Sequence, residues 1–200
     1  MDAANNILEF YRTALETDNM EFLSALASRS SYMLAAKGTR LFQEGVRIED
    51  CYFLCDGIIR VFYLTADGAE ITEWLLSKAG VLIFPNYSVE NDPIAKTSAE
   101  TLTDCELIHI PLAELMEVAL GYPEMDRIRF RMLLAALENQ RELRRNLTHR
   151  LPAERYAWLV ENRPELAERV PQKYIASFLG MTPVSLSRIR SRYKERTAEE

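Results

Sequence analysis

Between Thr182 and Lys194 the chain sets hydroxyl and cationic side chains at short intervals: Thr182, Ser185, Ser187, Arg188, Ser191, Arg192 and Lys194, with Val184 among them. Wound into a helix at about 100° per residue, Val184, Ser187, Arg188 and Ser191 fall on one side, flanked by Ser185 and Arg192, and Leu186, Ile189 and Tyr193 on the other. Such a face suits the major groove of a duplex. An arginine there can donate two hydrogen bonds to guanine O6 and N7, a contact worth about 1–3 kcal/mol of discrimination. Arg190, Arg192, Lys194 and Arg196 would neutralise phosphates and set affinity without reading sequence. A solvated basic helix on any helical domain carries the same residues.

Other chemistries find little purchase. No Ser, Cys or carboxylate sits in a recognisable nucleophile motif, no glycine loop could cradle a phosphate, and a catalytic histidine would have to be His109 or His149, so no enzyme is expected. Cys51, Cys55 and Cys105 are an odd set, too few for a disulfide scaffold and without a second pair for a four-thiolate zinc site. Cys51 and Cys55, at even spacing on one strand, share a face where buried packing is expected. The residues call for no cofactor and no metal.

The basic segment has to be held by something. A helix-turn-helix needs a small residue where two helices cross, a glycine in the turn and apolar residues on the second helix facing inward; Ala176, Gly180, and Leu186 with Ile189 stand at those offsets. Ile175, Phe178 and Leu179 back the first helix, expected over Gln172–Leu179. Thr182 is a good N-cap and Pro183 a good first residue for the second, expected from Pro183 to about Lys194. Upstream, short helices are expected over Ala153–Asn162 and around Glu165–Arg169, after a hinge at His149-Arg150-Leu151-Pro152, because Pro disfavours helix in the residue before it.

From Pro123 the glycines stop until Gly180 and a long helix is expected. Phe130, Leu133, Leu137, Leu147 and Leu151 keep a spacing of three and four, with Gln140 and Arg144 in the same stripe. Either this stripe packs on the domain before it, or it is the seam of a coiled-coil dimer, in which interspersed polar residues fix register. Between Thr39 and Pro111 the period changes to that of strands, expected at Arg40–Phe42, Cys51–Cys55, Ile58–Leu64, Ile71–Leu76, Val81–Phe84, Lys96–Thr101 and Glu106–Ile110. Asp56-Gly57 and Asp67-Gly68 read as tight hairpin turns, and the whole as a compact β-roll. Before it, Ile7–Arg12 and Glu21–Ala27 read as helical.

At 200 residues, with 48% hydrophobic, 27% charged and 10% aromatic residues, the chain is globular and long enough for one large domain or two modest ones. No apolar run reaches membrane-spanning length, and the first residues lack the basic start and apolar stretch of a signal peptide, so a cytoplasmic location without membrane contact is expected. The net charge of −6 hides a split: residues 151–200 carry +2 and the remainder −8.

Gly45, the Asp56-Gly57 and Asp67-Gly68 turns, the Gly80 segment, the long helix from Pro123 and the motif from Pro171 to Arg192 together resemble the Crp/Fnr family of bacterial transcription regulators, over nearly the whole chain. The resemblance implies an α+β fold: a cyclic-nucleotide-binding-like, jelly-roll β-roll over 1–122, a dimerisation helix over 123–150, and a helix-turn-helix domain over 151–200. It implies a homodimer on a pseudo-palindromic double-stranded site, DNA bending and contact with RNA polymerase.

The chain departs from the family at several points. Members that sense cyclic AMP hold its phosphate with Gly-Glu and Arg-Ser pairs; here those places fall on Phe84-Pro85 and Ala95-Lys96, so cyclic AMP is not expected to bind in the usual way. An effector, if there is one, would meet Phe84, Pro85, Asn86, Lys96, Thr97, Gln140 and Arg141; its identity is open. Members with an iron–sulfur cluster use four thiolates, mostly near the N-terminus, and this chain has three cysteines with none before Cys51. In the second helix Val184 stands where many relatives have Glu, while Ser187-Arg188 matches, so the preferred base differs at one step. The wing that relatives often add after this helix is expected to be reduced or absent. The competing reading is a ligand-sensing or oligomerisation module that no longer binds DNA.

Overall fold

The change of hydrophobic period marks the change of architecture in the computed structural model, which describes residues 3–83 and 94–199. Two helices, α1 (Ala3–Leu15) and α2 (Met20–Ser28), lead into strands β1 (Ser31–Ala35), β2 (Arg40–Phe42), β3 (Asp50–Asp56), β4 (Ile59–Leu64), β5 (Glu70–Leu76), β6 (Leu82–Ile83), β7 (Ser98–Thr101) and β8 (Cys105–Pro111). Helices follow: α3 (Leu112–Gly121), α4 (Glu124–His149), α5 (Pro152–Asn162), α6 (Pro164–Arg169), α7 (Gln172–Phe178) and α8 (Pro183–Glu199). The strands form two four-stranded sheets, ordered β1-β8-β3-β6 and β2-β7-β4-β5. That alternation is the jelly-roll order of a β-roll, as expected from the strand spacing.

By internal contacts the chain divides into two units, Met1–Val61 with Leu76–Met132, and Phe62–Leu75 with Leu133–Glu200. In the first, Cys51, Tyr52, Phe53 and Leu54 of β3 are all buried, so this strand needs cover on both faces. On one face Cys51 and Phe53 join Ile108 and Ile110 of β8 in a cluster with Tyr11 and Leu15 of α1, Phe22 and Leu26 of α2, and Leu115 and Val118 of α3. Tyr11 stands edge-on to Phe53 at 5.1 Å and shares a 2.7 Å hydrogen bond with Ser30. The α4 residues Met125 and Ile128 belong to the same core.

One turn departs from expectation. Asp67-Gly68 does close the β4–β5 hairpin, with Gly68 at φ 82° and Ala69 N–H donating to Thr65 Oγ1 at 3.0 Å. Asp56-Gly57 closes no hairpin, because β3 and β4 lie in different sheets. It is a corner: Gly57 sits at φ 109°, and a Cβ there would stand 2.5 Å from Cys105 Sγ and 2.8 Å from the Asp104 carbonyl. Glycine is needed both for the backbone angle and for the close passage past β8.

In the second unit the hairpin strand β5 is tied to α7, with Thr72 N–H donating to Ser177 Oγ at 2.8 Å and Ser177 Oγ donating to the Glu70 carbonyl at 3.4 Å. The helices pack around Tyr156, Trp158, Leu159, Leu166, Val170, Ile175, Phe178, Leu179 and Leu186, all buried. Trp158 Nε1–H donates to Glu142 at 3.3 Å, holding α5 against α4.

β1 and α3 are elements the sequence reading lacks. β1 is mostly exposed, with Leu34 72% accessible, so it carries no alternation to read. The α3 signal was present in Leu115, Val118 and Ala119 at helical spacing, but it lies between a strand and a stronger helix. The Val81–Phe84 strand is found at Leu82–Ile83, and Phe84 falls outside the described residues.

Candidate nucleic-acid interface

Two short segments of the second unit set the candidate surface: α7, and α8 across a tight turn. α7 ends at Phe178, and the chain reverses at Gly180, whose φ of 64° lies in the left-handed region. Met181 N–H donates to the Ala176 carbonyl at 2.9 Å, closing the helix end. Thr182 Oγ1 then accepts the Ser185 N–H at 3.2 Å and donates to Ser185 Oγ at 3.0 Å, so Thr182 caps α8 and Pro183 takes the position whose N–H would have no partner.

With α8 anchored, its period sorts the side chains. Leu186 is wholly buried, and Ile189, Arg190 and Tyr193 are half-buried, a stripe at steps of three and four. Tyr193 meets Tyr156 of α5 edge-on at 5.5 Å, with the rings at 88°. Burial raises the Tyr156 phenol above its ordinary range, while nearby Arg190 pulls it down. Arg190, assigned to phosphates from sequence, thus sits on the inward stripe, because it is one turn after Leu186. Arg196 stacks over Tyr193 at 5.5 Å.

The opposite side carries Thr182, Val184, Ser185, Ser187, Arg188, Ser191, Arg192 and Lys194, every one exposed. Val184 alone is 63% accessible, an apolar side chain on a polar face. Among the described residues Arg188 and Arg192 make no hydrogen bond or ion pair, leaving both guanidinium forks free to meet a partner. Ser191 Oγ donates to the Ser187 carbonyl at 3.2 Å, a local bond that an external acceptor can displace.

The stripe on α4 splits at its two ends. Phe130, Leu133, Leu134 and Leu137 are exposed, and so are Gln140 and Arg144. Leu147 is half-buried, with a methyl 3.2 Å from where a Cβ on Gly180 would stand. Four large apolar side chains thus stand in solvent on consecutive turns as one patch.

Of the residues assigned to an effector, the described ones belong partly to the first unit and partly to the second. Phe84, Pro85 and Asn86 lie outside the described residues. Lys96 is exposed, whereas Thr97 beside it is 4% accessible with a buried Oγ1 that has no partner among the described residues. Both belong to the first unit; Gln140 and Arg141 are exposed on α4 in the second. In the roll Arg60, 1% accessible, pairs with Glu100 at 3.0 Å.

Cys51 and Cys105 are buried, while Cys55, expected to be buried with Cys51, is half-buried against the same cluster. Burial pushes Cys51 up to about 12 and Cys55 to about 11, and raises Cys105 as well. His109 shares a 2.6 Å hydrogen bond with Asp50 and a 3.3 Å one with Ser31 across three strands, and His149 ends α4, exposed. Among the described residues no three His, Cys, Asp or Glu side chains are grouped to hold a metal ion, and no helix is long and apolar enough to cross a membrane.

Sequence reasoning missed Arg155, whose side chain reaches both the end of α4 and the α7–α8 turn, and Ser177, which receives β5. Neither has a local signal, since their partners are backbone groups distant in sequence.

Residues 34–122 match the model of the cyclic nucleotide-binding domain, the class that the β-roll and its helices define. The chain is 21% identical over 193 residues, covering 91% of itself and 77% of the relative, to the transcriptional activator protein Anr of Pseudomonas protegens. Its fold is similar to that of FixK2 from Bradyrhizobium japonicum, at a TM-score of 0.70 and 19% identity, covering 84% of this chain and 86% of that one. It is also similar to a Crp/Fnr-family transcriptional regulator of Eubacterium rectale, at a TM-score of 0.72 and 13% identity over 94% and 88% of the two chains. Residues 34–122 thus carry the cyclic nucleotide-binding domain, and beyond them the chain is similar in fold to regulators of the Crp/Fnr type.

Proposed function

We propose that two copies of this chain pair through α4 and read a pseudo-palindromic DNA site with α8, each copy as a helix-turn-helix formed by α7 and α8. The observation that carries the reading is the sorting of α8: eight polar, basic or small side chains face solvent together while Leu186 and Tyr193 fasten the helix from behind. Arg188 is the base-reading residue, donating to guanine O6 and N7, and Val184 meets a thymine methyl where relatives would use a carboxylate. Arg192 and Lys194 contact phosphates, which fix position without reading sequence.

Residues 1–122 act as the sensor, 123–150 as the pairing helix and 151–200 as the DNA-binding part. The α4 patch supports pairing, since its exposed leucines have the spacing of a coiled-coil seam and Gln140 and Arg144 on the same stripe can set register. In this reading the protein works in the cytoplasm without catalysing a reaction, and RNA polymerase is its further partner on DNA. Any effector acts by shifting the population of helix arrangements, and it is not cyclic AMP held in the usual way.

The test is selection of duplexes from a randomised pool followed by gel shift. A selected motif with two inverted half-sites centred about one helical turn apart, roughly 34–36 Å, is the expected result. No enrichment, together with a dimer in solution, would leave an oligomerising sensor that does not bind DNA.

A further inference from the structure

Arg155 reaches two places, the end of α4 and the α7–α8 turn, that also meet where the Leu147 side chain packs against Gly180. It lies on the first turn of α5, directly after the hinge, and its guanidinium is half-buried. Nε–H donates to the Arg150 carbonyl at 3.0 Å and Nη2 to the Leu147 carbonyl at 2.8 Å, both at the C-terminal end of α4. Nη1 donates to the Leu179 carbonyl at 3.0 Å and to the Gly180 carbonyl at 3.4 Å, in the turn that opens α8.

These acceptors need a partner. The Leu147 carbonyl would ordinarily receive the N–H of Leu151, but that N–H donates instead to Glu154 Oε2 at 2.7 Å, because the helix has stopped and the next is being capped. Leu179 and Gly180 close α7, where the following residues turn away. The carbonyls at a helix end also carry partial negative charge, so a cation placed against two such ends is favoured twice. A planar fork is required as well as a charge: donors on separate nitrogens must point to two helix ends at once, which a lysine ammonium cannot do in fixed geometry. Gly180 suits the turn through its φ of 64° and the 3.2 Å that a Cβ would leave to the Leu147 methyl.

We propose that Arg155 is a positioning residue that sets the angle between the pairing helix and the reading helix, and with it the half-site spacing the dimer accepts. Arg155 touches no base in this scheme. Thr182 and Pro183 start α8 two residues after the clamped turn, so this side chain and its backbone acceptors act on the direction of α8 relative to the last turn of α4, together with the Leu147–Gly180 and Tyr156–Tyr193 contacts. The inference rests on the paired DNA-reading function proposed above.

The test uses the full-length protein, Arg155→Met, which keeps the apolar stem, and Arg155→Lys, which keeps the charge. The probes are duplexes with two selected half-sites at the selected spacing, the same half-sites one base pair further apart, one half-site alone, and random sequence. The wild-type protein is expected to prefer the selected spacing over the longer one by about tenfold or more. Both variants are expected to bring that ratio below about twofold while keeping the preference of a single half-site over random duplex. If both variants keep the wild-type spacing ratio, even with every affinity lowered equally, Arg155 is merely structural and the proposal is wrong. Should Arg155→Met melt too low to assay, Arg155→Lys decides by the same ratio. A wild-type protein that selects a half-site but shows no spacing preference refutes the paired reading, and the clamp's role with it.

Discussion

Replacing Leu133 and Leu137 together by Glu should separate the two copies without disturbing either. Both side chains stand on α4 more than half in solvent, at 56% and 52% accessible, so neither supports the fold of its own chain to any large extent. Burying a leucine completely is worth about 1.5–3 kcal/mol, and the portion still exposed here therefore contributes about 1 kcal/mol per side chain when a partner covers it. Four such side chains in a dimer amount to about 4 kcal/mol, or close to a thousandfold in dissociation constant. Four carboxylates facing one another across the seam add repulsion to that loss. Glutamate is a good helix former, so α4 itself should persist. Sedimentation equilibrium reads the outcome directly: wild type at twice the 23.0 kDa chain mass and the double variant at the single mass, with unchanged circular dichroism and melting temperature. A double variant that remains dimeric at the same concentration would refute the seam. A melting temperature lowered by more than about 5 °C would show that the stripe serves its own chain, the packing alternative that the sequence left open.

Other consequences are more local. Gly57→Ala should destabilise the first unit by about 3 kcal/mol, since its φ of 109° and the 2.8 Å approach to the Asp104 carbonyl leave a methyl no relief; a urea midpoint unchanged from wild type would contradict the corner. The raised thiols hold their protons in the folded chain, whereas the unfolded chain loses them near the ordinary cysteine value, so stability should be at full strength below about pH 8.5 and fall as pH rises towards 11–12. Urea titrations at pH 8 and pH 10 measure this, with equal stability at the two pH values as the contrary result. At pH 8 Cys51 and Cys105 should resist iodoacetamide in the folded chain and react on unfolding, because both are buried; rapid labelling of either in native protein would show that the β-roll opens. Cyclic AMP should give no calorimetric signal of micromolar binding, because Lys96 stands exposed in place of the expected hydroxyl and its neighbour is Ala95 rather than Arg.

Much of this architecture is legible in the sequence because period and punctuation are local signals. Leu186 and Tyr193 could be placed inward and Arg188 outward from spacing alone, as could the Thr182-Pro183 start of α8. The same arithmetic applied to Arg190 would have put it a full turn from Leu186, on the inward stripe; its charge argued the other way, and the half-buried arginine shows geometry prevailing. Asp56-Gly57 has the composition of a hairpin turn yet makes a corner, since residue types fix the backbone angle and not which strand comes next to which. Arg155 was invisible for a further reason: its value comes from backbone carbonyls up to 25 residues away, and any surface arginine looks the same in one dimension. The effector residues were placed by family alignment, and three of them, Phe84, Pro85 and Asn86, lie outside the described residues.

The most direct test of DNA reading by α8 is the affinity of wild type and Arg188→Ala for the selected duplex and for random duplex at one fixed salt concentration. With one arginine lost from each half-site, the preference for the selected duplex should fall by about 2–6 kcal/mol, or at least about thirtyfold, while affinity for random duplex changes far less. Equal losses on the two duplexes would contradict the account, because they would make Arg188 a phosphate contact and leave α8 without a residue that reads guanine.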